Sequence, residues 1–178
     1  MGTVYDMLPG AETDGVEVEM LYRFSGSDAS DSSGEEFHKA CDGKGATITV
    51  IRSTNGYILG GYNPVSWSSV KGVAEAHGAF IFTVTNPAGT EPTKYMVKDA
   101  AHAVSNCPKG GPCFGSEYDA SDGEYFTDDL ACRLNGDKSW TRFYYYEDTT
   151  GRGEATFTGA YEFDIETMEV WMVTELPR

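Results

Sequence analysis

Residues 37–62 constrain this chain more than any other stretch: Phe-His-Lys-Ala-Cys-Asp-Gly-Lys-Gly-Ala-Thr-Ile-Thr-Val-Ile-Arg-Ser-Thr-Asn-Gly-Tyr-Ile-Leu-Gly-Gly-Tyr. Phe37 to Ala40 read as the end of a short helix. Cys41-Asp42-Gly43-Lys44-Gly45 is the turn that stops it, because glycine accepts the left-handed backbone of a helix stop. Thr47 to Arg52 is rich in β-branched side chains and predicts a strand. Thr54-Asn55-Gly56 suits a type I′ hairpin turn, in which two consecutive residues take positive φ. Tyr57 to Tyr62 returns as a second strand, and Gly60-Gly61 leaves room for another backbone to come close.

The rest of the chain continues in short strands. Residues 1–15 lack periodicity and are expected to be a flexible lead-in to a single domain over residues 16–178. Val16, Val18 and Met20 alternate with Glu17, Glu19 and Leu21, the pattern of a half-buried strand. Ser33-Gly34-Glu35-Glu36 fits a capping box, with Ser33 as N-cap and Glu36 reaching back. Phe80, Phe82 and Val84 share one face of a clear strand. Residues 98–114 read as irregular and Asp119 to Asp129 as an acidic loop. Trp140 to Tyr146 predicts a strand with large side chains on both faces. Its tyrosines left on the outer face would form a protein-contact patch. Tyr161 to Ile165 and Met168 to Val173 predict the last two strands. Such a pattern predicts a mainly β fold, a two-layer antiparallel β-sandwich flanked by one or two short helices.

Charge and cysteine content narrow the function. The chain has 178 residues and a net charge of −15. Phosphate-directed nucleic-acid binding needs clustered Lys and Arg, so this balance argues against it and against anionic lipid surfaces. No stretch reaches the length of a transmembrane helix. The first residues are mixed and polar rather than a secretory leader, and no Asn is followed two places on by Ser or Thr. The cytoplasm is therefore the expected compartment, with an extracellular setting as the alternative. Cys41, Cys107, Cys113 and Cys132 allow two disulfides in principle. Cys107 and Cys113 flank a short Pro- and Gly-rich segment, where a local disulfide is possible.

Candidate chemistry is sparse. His38, His77 and His102 lie far apart, with no His-Glu-x-x-His and no Cys-x-x-Cys pattern, so a zinc site is not expected. Gly43-Lys44-Gly45 lacks the Ser or Thr of a phosphate loop, and no cofactor is expected. Cys41 could be a reactive thiol if Lys44 or His38 lowered its pKa. Against that, a free cysteine closing a helix is usually a small buried hydrophobe. His38 is expected at a helix surface or cap rather than in catalysis. Asp119, Asp122, Glu124, Asp128 and Asp129 offer oxygen ligands for Ca²⁺, yet their spacing does not fit an EF-hand loop. A solvated acidic loop is the simpler reading.

These motifs resemble the TLDc domain family of oxidation-resistance-type proteins. Leu21-Tyr22-Arg23 is similar to its opening segment. Phe37-His38-x-x-Cys41-Asp42-Gly43-Lys44-Gly45 resembles its helix-to-strand core, and Gly60-Gly61-Tyr62 its central hairpin. Gly111-Pro112-x-Phe114-Gly115 and Met168-Glu169-Val170-Trp171 match later landmarks. The chain departs from the pattern at Ser116 to Asp119, where an acidic insertion precedes Asp129-Leu130. The resemblance implies a eukaryotic, non-catalytic binding and regulatory domain. It also implies a role in oxidative-stress resistance and a protein partner, for which the resemblance nominates subunits of the vacuolar proton-pumping ATPase. Two alternatives come from the residues: a thiol-based antioxidant using Cys41, and an acidic Ca²⁺-binding extracellular or matrix-type domain locked by disulfides.

Overall fold

A computed structural model describes the chain apart from residues 1, 14, 127 and 178; the side chains of residues 13 and 126 are likewise not described. The first sheet has six antiparallel strands: β1 (Val16–Ser25), β2 (Thr47–Ser53), β3 (Ile58–Asn63), β5 (Phe80–Thr83), β6 (Thr93–Met96) and β14 (Ile165–Glu175). Their spatial order is β1-β14-β2-β3-β5-β6, so the last strand lies between the first two. The second sheet holds β4 (Gly72–Ala74), β7 (Val104–Asn106), β8 (Cys113–Phe114), β11 (Leu130–Ala131), β12 (Ser139–Thr141) and β13 (Glu162–Phe163), in the order β13-β12-β11-β8-β7-β4. A separate hairpin joins β9 (Glu117–Asp119) to β10 (Glu124–Phe126). The expected antiparallel sandwich with few short helices is what the chain forms.

The core between the sheets follows from strand alternation. On β2, β3 and β5, Ile51, Leu59 and Ile81 point inward and meet Val104, Phe114 and Leu130 of the second sheet. Trp67 comes from the loop after β3 and is 1% exposed. Its ring takes Phe37 and Phe114 edge-on at 5.7 and 5.6 Å, and its indole N–H donates to Thr47 Oγ1 at 2.8 Å. Phe37 belongs to helix α2 (Ser33–Cys41), which closes one end of the sandwich.

The opposite residues of the first sheet, Ile48, Tyr62, Phe80 and Phe82, form a second apolar cluster on its outer face. The N-terminal segment covers it. Helix α1 (Gly2–Tyr5) and a 3₁₀ turn at Ala11–Thr13 frame Met7 and Leu8, which are 7% and 3% exposed. The Met7 carbonyl accepts from Lys94 Nζ at 3.0 Å, and Tyr5 donates its hydroxyl to the Val16 carbonyl at 2.8 Å. The aperiodic lead-in is therefore a packed cover over an apolar sheet face, a role that leaves no period in its sequence.

Three local expectations are corrected. Ser33 does not cap α2: the N-cap is Ser32 without a side-chain bond, and Ser33 Oγ accepts from the Ser30 amide at 3.1 Å. The β2–β3 connection has four residues, 54–57, rather than a two-residue turn, and the Gly56 amide closes it onto the Ser53 carbonyl. The aromatic run from Trp140 is a strand only to Thr141.

Candidate functional site

The last turn of α2 carries the residues that the sequence singles out. Gly43 and Gly45 stop the helix at φ +70° and +79°. The Gly43 amide donates to the Trp67 carbonyl, which ties the stop to the Trp67 loop. His38 is 3% exposed rather than on the helix surface. Its Nδ1 lies 2.6 Å from Asp42 Oδ1 and its Nε2 lies 2.8 Å from the Cys107 carbonyl. Both ring nitrogens thus face acceptors. The other Asp42 oxygen accepts from Ser69 Oγ at 2.5 Å. One imidazole and one carboxylate therefore join α2, the Trp67–Ser69 loop and the segment after β7. At the other end of α2 the contact is also tight: a Cβ built on Gly34 would stand 1.9 Å from the Lys109 carbonyl oxygen.

This arrangement holds elements together and leaves no free base. The order Ser69–Asp42–His38 places the carboxylate in the middle, and a backbone carbonyl occupies the nitrogen that a catalytic histidine would turn to a nucleophile. Cys41 is 0% exposed and packs in the main core. Burial pushes its thiol up to about 12, Asp42 pushes the same way, and Lys44 pulls only weakly against them. Lys44 is itself exposed. Burial works against activation of this thiol by Lys44 or His38, because desolvation disfavours the thiolate more than a solvated ammonium favours it.

The five acidic candidates divide into two groups. Asp119, Asp122 and Glu124 are exposed on the β9–β10 hairpin. Asp119 Oδ1 accepts from the Ser121 amide and hydroxyl, which lowers its pKa, and Asp122 Oδ1 accepts from the Glu124 amide. These bonds shape the turn. Asp128 and Asp129 are buried at the hairpin base, 7% and 0% exposed. Among the described residues, no three or more His, Cys, Asp or Glu side chains are grouped to hold a metal ion.

Asp129 carries a role that strand periodicity does not reveal. Its Oδ2 accepts from the amides of Tyr144, Tyr145 and Tyr146, each at 2.8 Å. The three amides point at one oxygen, so the chain after Thr141 leaves the sheet ladder. Gly115, at φ +70°, makes room: a Cβ there would stand 2.9 Å from Asp129 Cγ. Burial raises the Asp129 pKa to about 7, with the three amides and Arg142 pulling it down. Tyr145 and Tyr146 are buried and Tyr144 is 55% exposed, so one tyrosine of this run faces outward. The available signal was a pair of acids, Asp128-Asp129, immediately before the apolar Leu130-Ala131 strand.

All four cysteines are free thiols, with Cys41, Cys113 and Cys132 buried and Cys107 partly exposed. No helix among the described residues is long and apolar enough to cross a membrane. No curated protein matches the chain. The TLDc domain matches residues 2–174, which include the N-terminal cover and all but the last residue of the closing strand β14. Nearly the whole sandwich lies within that match, and the chain belongs to the TLDc domain family.

Proposed function

We propose that this chain is a non-catalytic binding and regulatory module that serves oxidative-stress resistance by engaging a protein partner in the cytoplasm of a eukaryotic cell. The observation that carries the reading is the engagement of its most reactive groups within the fold. His38 has acceptors at both ring nitrogens, Cys41 is enclosed, and Asp129 Oδ2 accepts three amides. A domain so built offers its surface rather than a reaction centre. The chain carries a net charge of −15, which fits a basic face on the partner. The family resemblance nominates the vacuolar proton-pumping ATPase as that partner.

The test is binding of the purified chain to the purified peripheral sector of that pump, at low and at high salt. Saturable binding that weakens with salt is the expected result. Absence of binding at micromolar concentration in low salt overturns the nominated partner.

A further inference from the structure

We propose that the open edge of β1 at residues 17–21 receives an extended basic segment of a partner protein as an added strand. The inference rests on the binding reading and deepens it, by naming the surface and the chemistry of its ligand.

Four strands end the two sheets: β1 and β6 in the first, β13 and β4 in the second. β13 and β4 have only two and three residues, which leaves little edge to pair with. β6 is closed from outside, because the Met96 carbonyl accepts from the Glu147 amide at 3.0 Å and Val97 bridges to Tyr146. β1 has ten residues and pairs on one side with β14. In an antiparallel pair, alternate residues turn their amide and carbonyl away from the neighbour. Over residues 17–21, no other element among the described residues bonds to those outward groups; the Tyr5 hydroxyl stops at the Val16 carbonyl. The free stretch ends at a bulge, where the register shifts between Met20 and Tyr22. Beyond it α2 packs on the strand, and Tyr22 donates its hydroxyl to the Ser33 carbonyl at 3.3 Å.

The side chains set what this edge accepts. Glu17 and Glu19 share one face of β1 and both are exposed. Val18 and Met20 share the other face; Val18 packs on the outer apolar cluster, and Met20 is 45% exposed. Arg23 is the one cation of β1, and it lies past the bulge, 3.8 Å from Glu169. An added strand therefore meets carboxylates at every second residue on one face and apolar side chains on the other. Cross-strand pairs of opposite charge and of apolar side chains stabilise a sheet. The matching segment alternates Lys or Arg with Val, Ile or Leu over about five residues, an ordinary strand length.

A second copy of the chain is the occupant that these charges reject. Two β1 strands paired antiparallel about Val18 would set Glu17 opposite Glu19 twice on one face, and like charges directly opposite destabilise. The acids and the bulge thus guard the edge against its own kind. The same carboxylates attract an incoming strand that is basic. Main-chain hydrogen bonds then supply affinity, and the alternating side chains supply choice.

The test adds a labelled peptide, Lys-Val-Lys-Val-Lys-Val-Lys with blocked ends, to the full chain at low salt and follows fluorescence anisotropy. Saturable binding is expected. Glu17→Lys/Glu19→Lys changes two exposed side chains, so the variant is expected to fold, and it should bind about tenfold more weakly or worse. N-methylation of the peptide separates strand addition from bare charge attraction. Methylating the Lys amides blocks one edge of the peptide and methylating the Val amides blocks the other, so one set should abolish binding and the other leave it intact. Absence of saturable binding overturns the proposal, as does unchanged affinity in the double variant. Equal effects of the two methylated sets also overturn it. A wild-type dimer that the peptide cannot dissociate assigns the edge to a second copy instead. If the pump sector binds and the peptide does not, the interface lies away from β1 while the binding reading stands.

Discussion

Gly61 on β3 faces Phe114 on β8 so closely that a Cβ on the glycine would stand 2.5 Å from the phenyl Cζ. The two sheets of the sandwich meet at this point without an intervening side chain. Gly61→Ala forces the ring or the strand to move, and overpacking of this kind costs about 1–3 kcal/mol. Urea unfolding should show a lower midpoint with an unchanged slope. Gly60→Ala should be at least as harmful, since its Cβ would stand 1.9 Å from the Thr49 carbonyl oxygen, which is backbone.

His38→Ala removes the brace between α2, Asp42 and the Cys107 carbonyl. It leaves the acceptors without their donor in a half-buried setting, at a cost of about 1–3 kcal/mol for each group left unsatisfied. Asp42→Ala should cost less, because Asp42 is only partly buried and water can reach the ring nitrogen it vacates. Chemical denaturation of the two variants beside wild type gives the order.

Asp129 predicts a pH dependence of defined sign. Its folded-state pKa is raised from 3.8 to about 7 by burial. The folded chain therefore holds this proton more tightly than the unfolded chain. The stability that this tighter proton binding contributes is fully present below about pH 4, falls as pH rises towards 7, and is absent above, while the three amide bonds persist. Melting temperatures of wild type and Asp129→Asn between pH 4.5 and 8 should converge or cross, with the wild type losing more as pH rises. Asp129→Ala leaves three amides without an acceptor and should lose roughly 3 kcal/mol or more at every pH.

Native Cys41 should resist alkylation at pH 8, because burial holds its thiol at about 12. Iodoacetamide followed by mass spectrometry should find Cys107 modified first and Cys41 only after denaturation. Early labelling of Cys41 would restore the thiol-enzyme reading based on that residue.

What the sequence disclosed and what it hid follow a physical division. The Phe37 to Gly45 turn was legible because its signals are local: a helix stop needs glycine at set positions, and two of them stand there. The strands around Ile51, Leu59 and Phe82 were legible through β-branched and aromatic content. The N-terminal cover was not, since Met7 and Leu8 gain their burial from Ile48 and Phe80, far along the chain. The break in the Trp140–Tyr146 run was hidden for the same reason: Asp129 captures amides 15 to 17 residues away. Ser69, which completes the Asp42 bonds, lies 27 residues from its partner, and no local pattern marks it.

Strand β14 fills the slot between β1 and β2. Until residues 165–175 are synthesised, β2 keeps an open edge and β1 has no strand to pair with in this sheet. On the ribosome the nascent domain thus waits for its final segment before the ladder can close. Folding is gated by the last strand to emerge, and the open edges are surfaces that chaperones would need to guard in the interval.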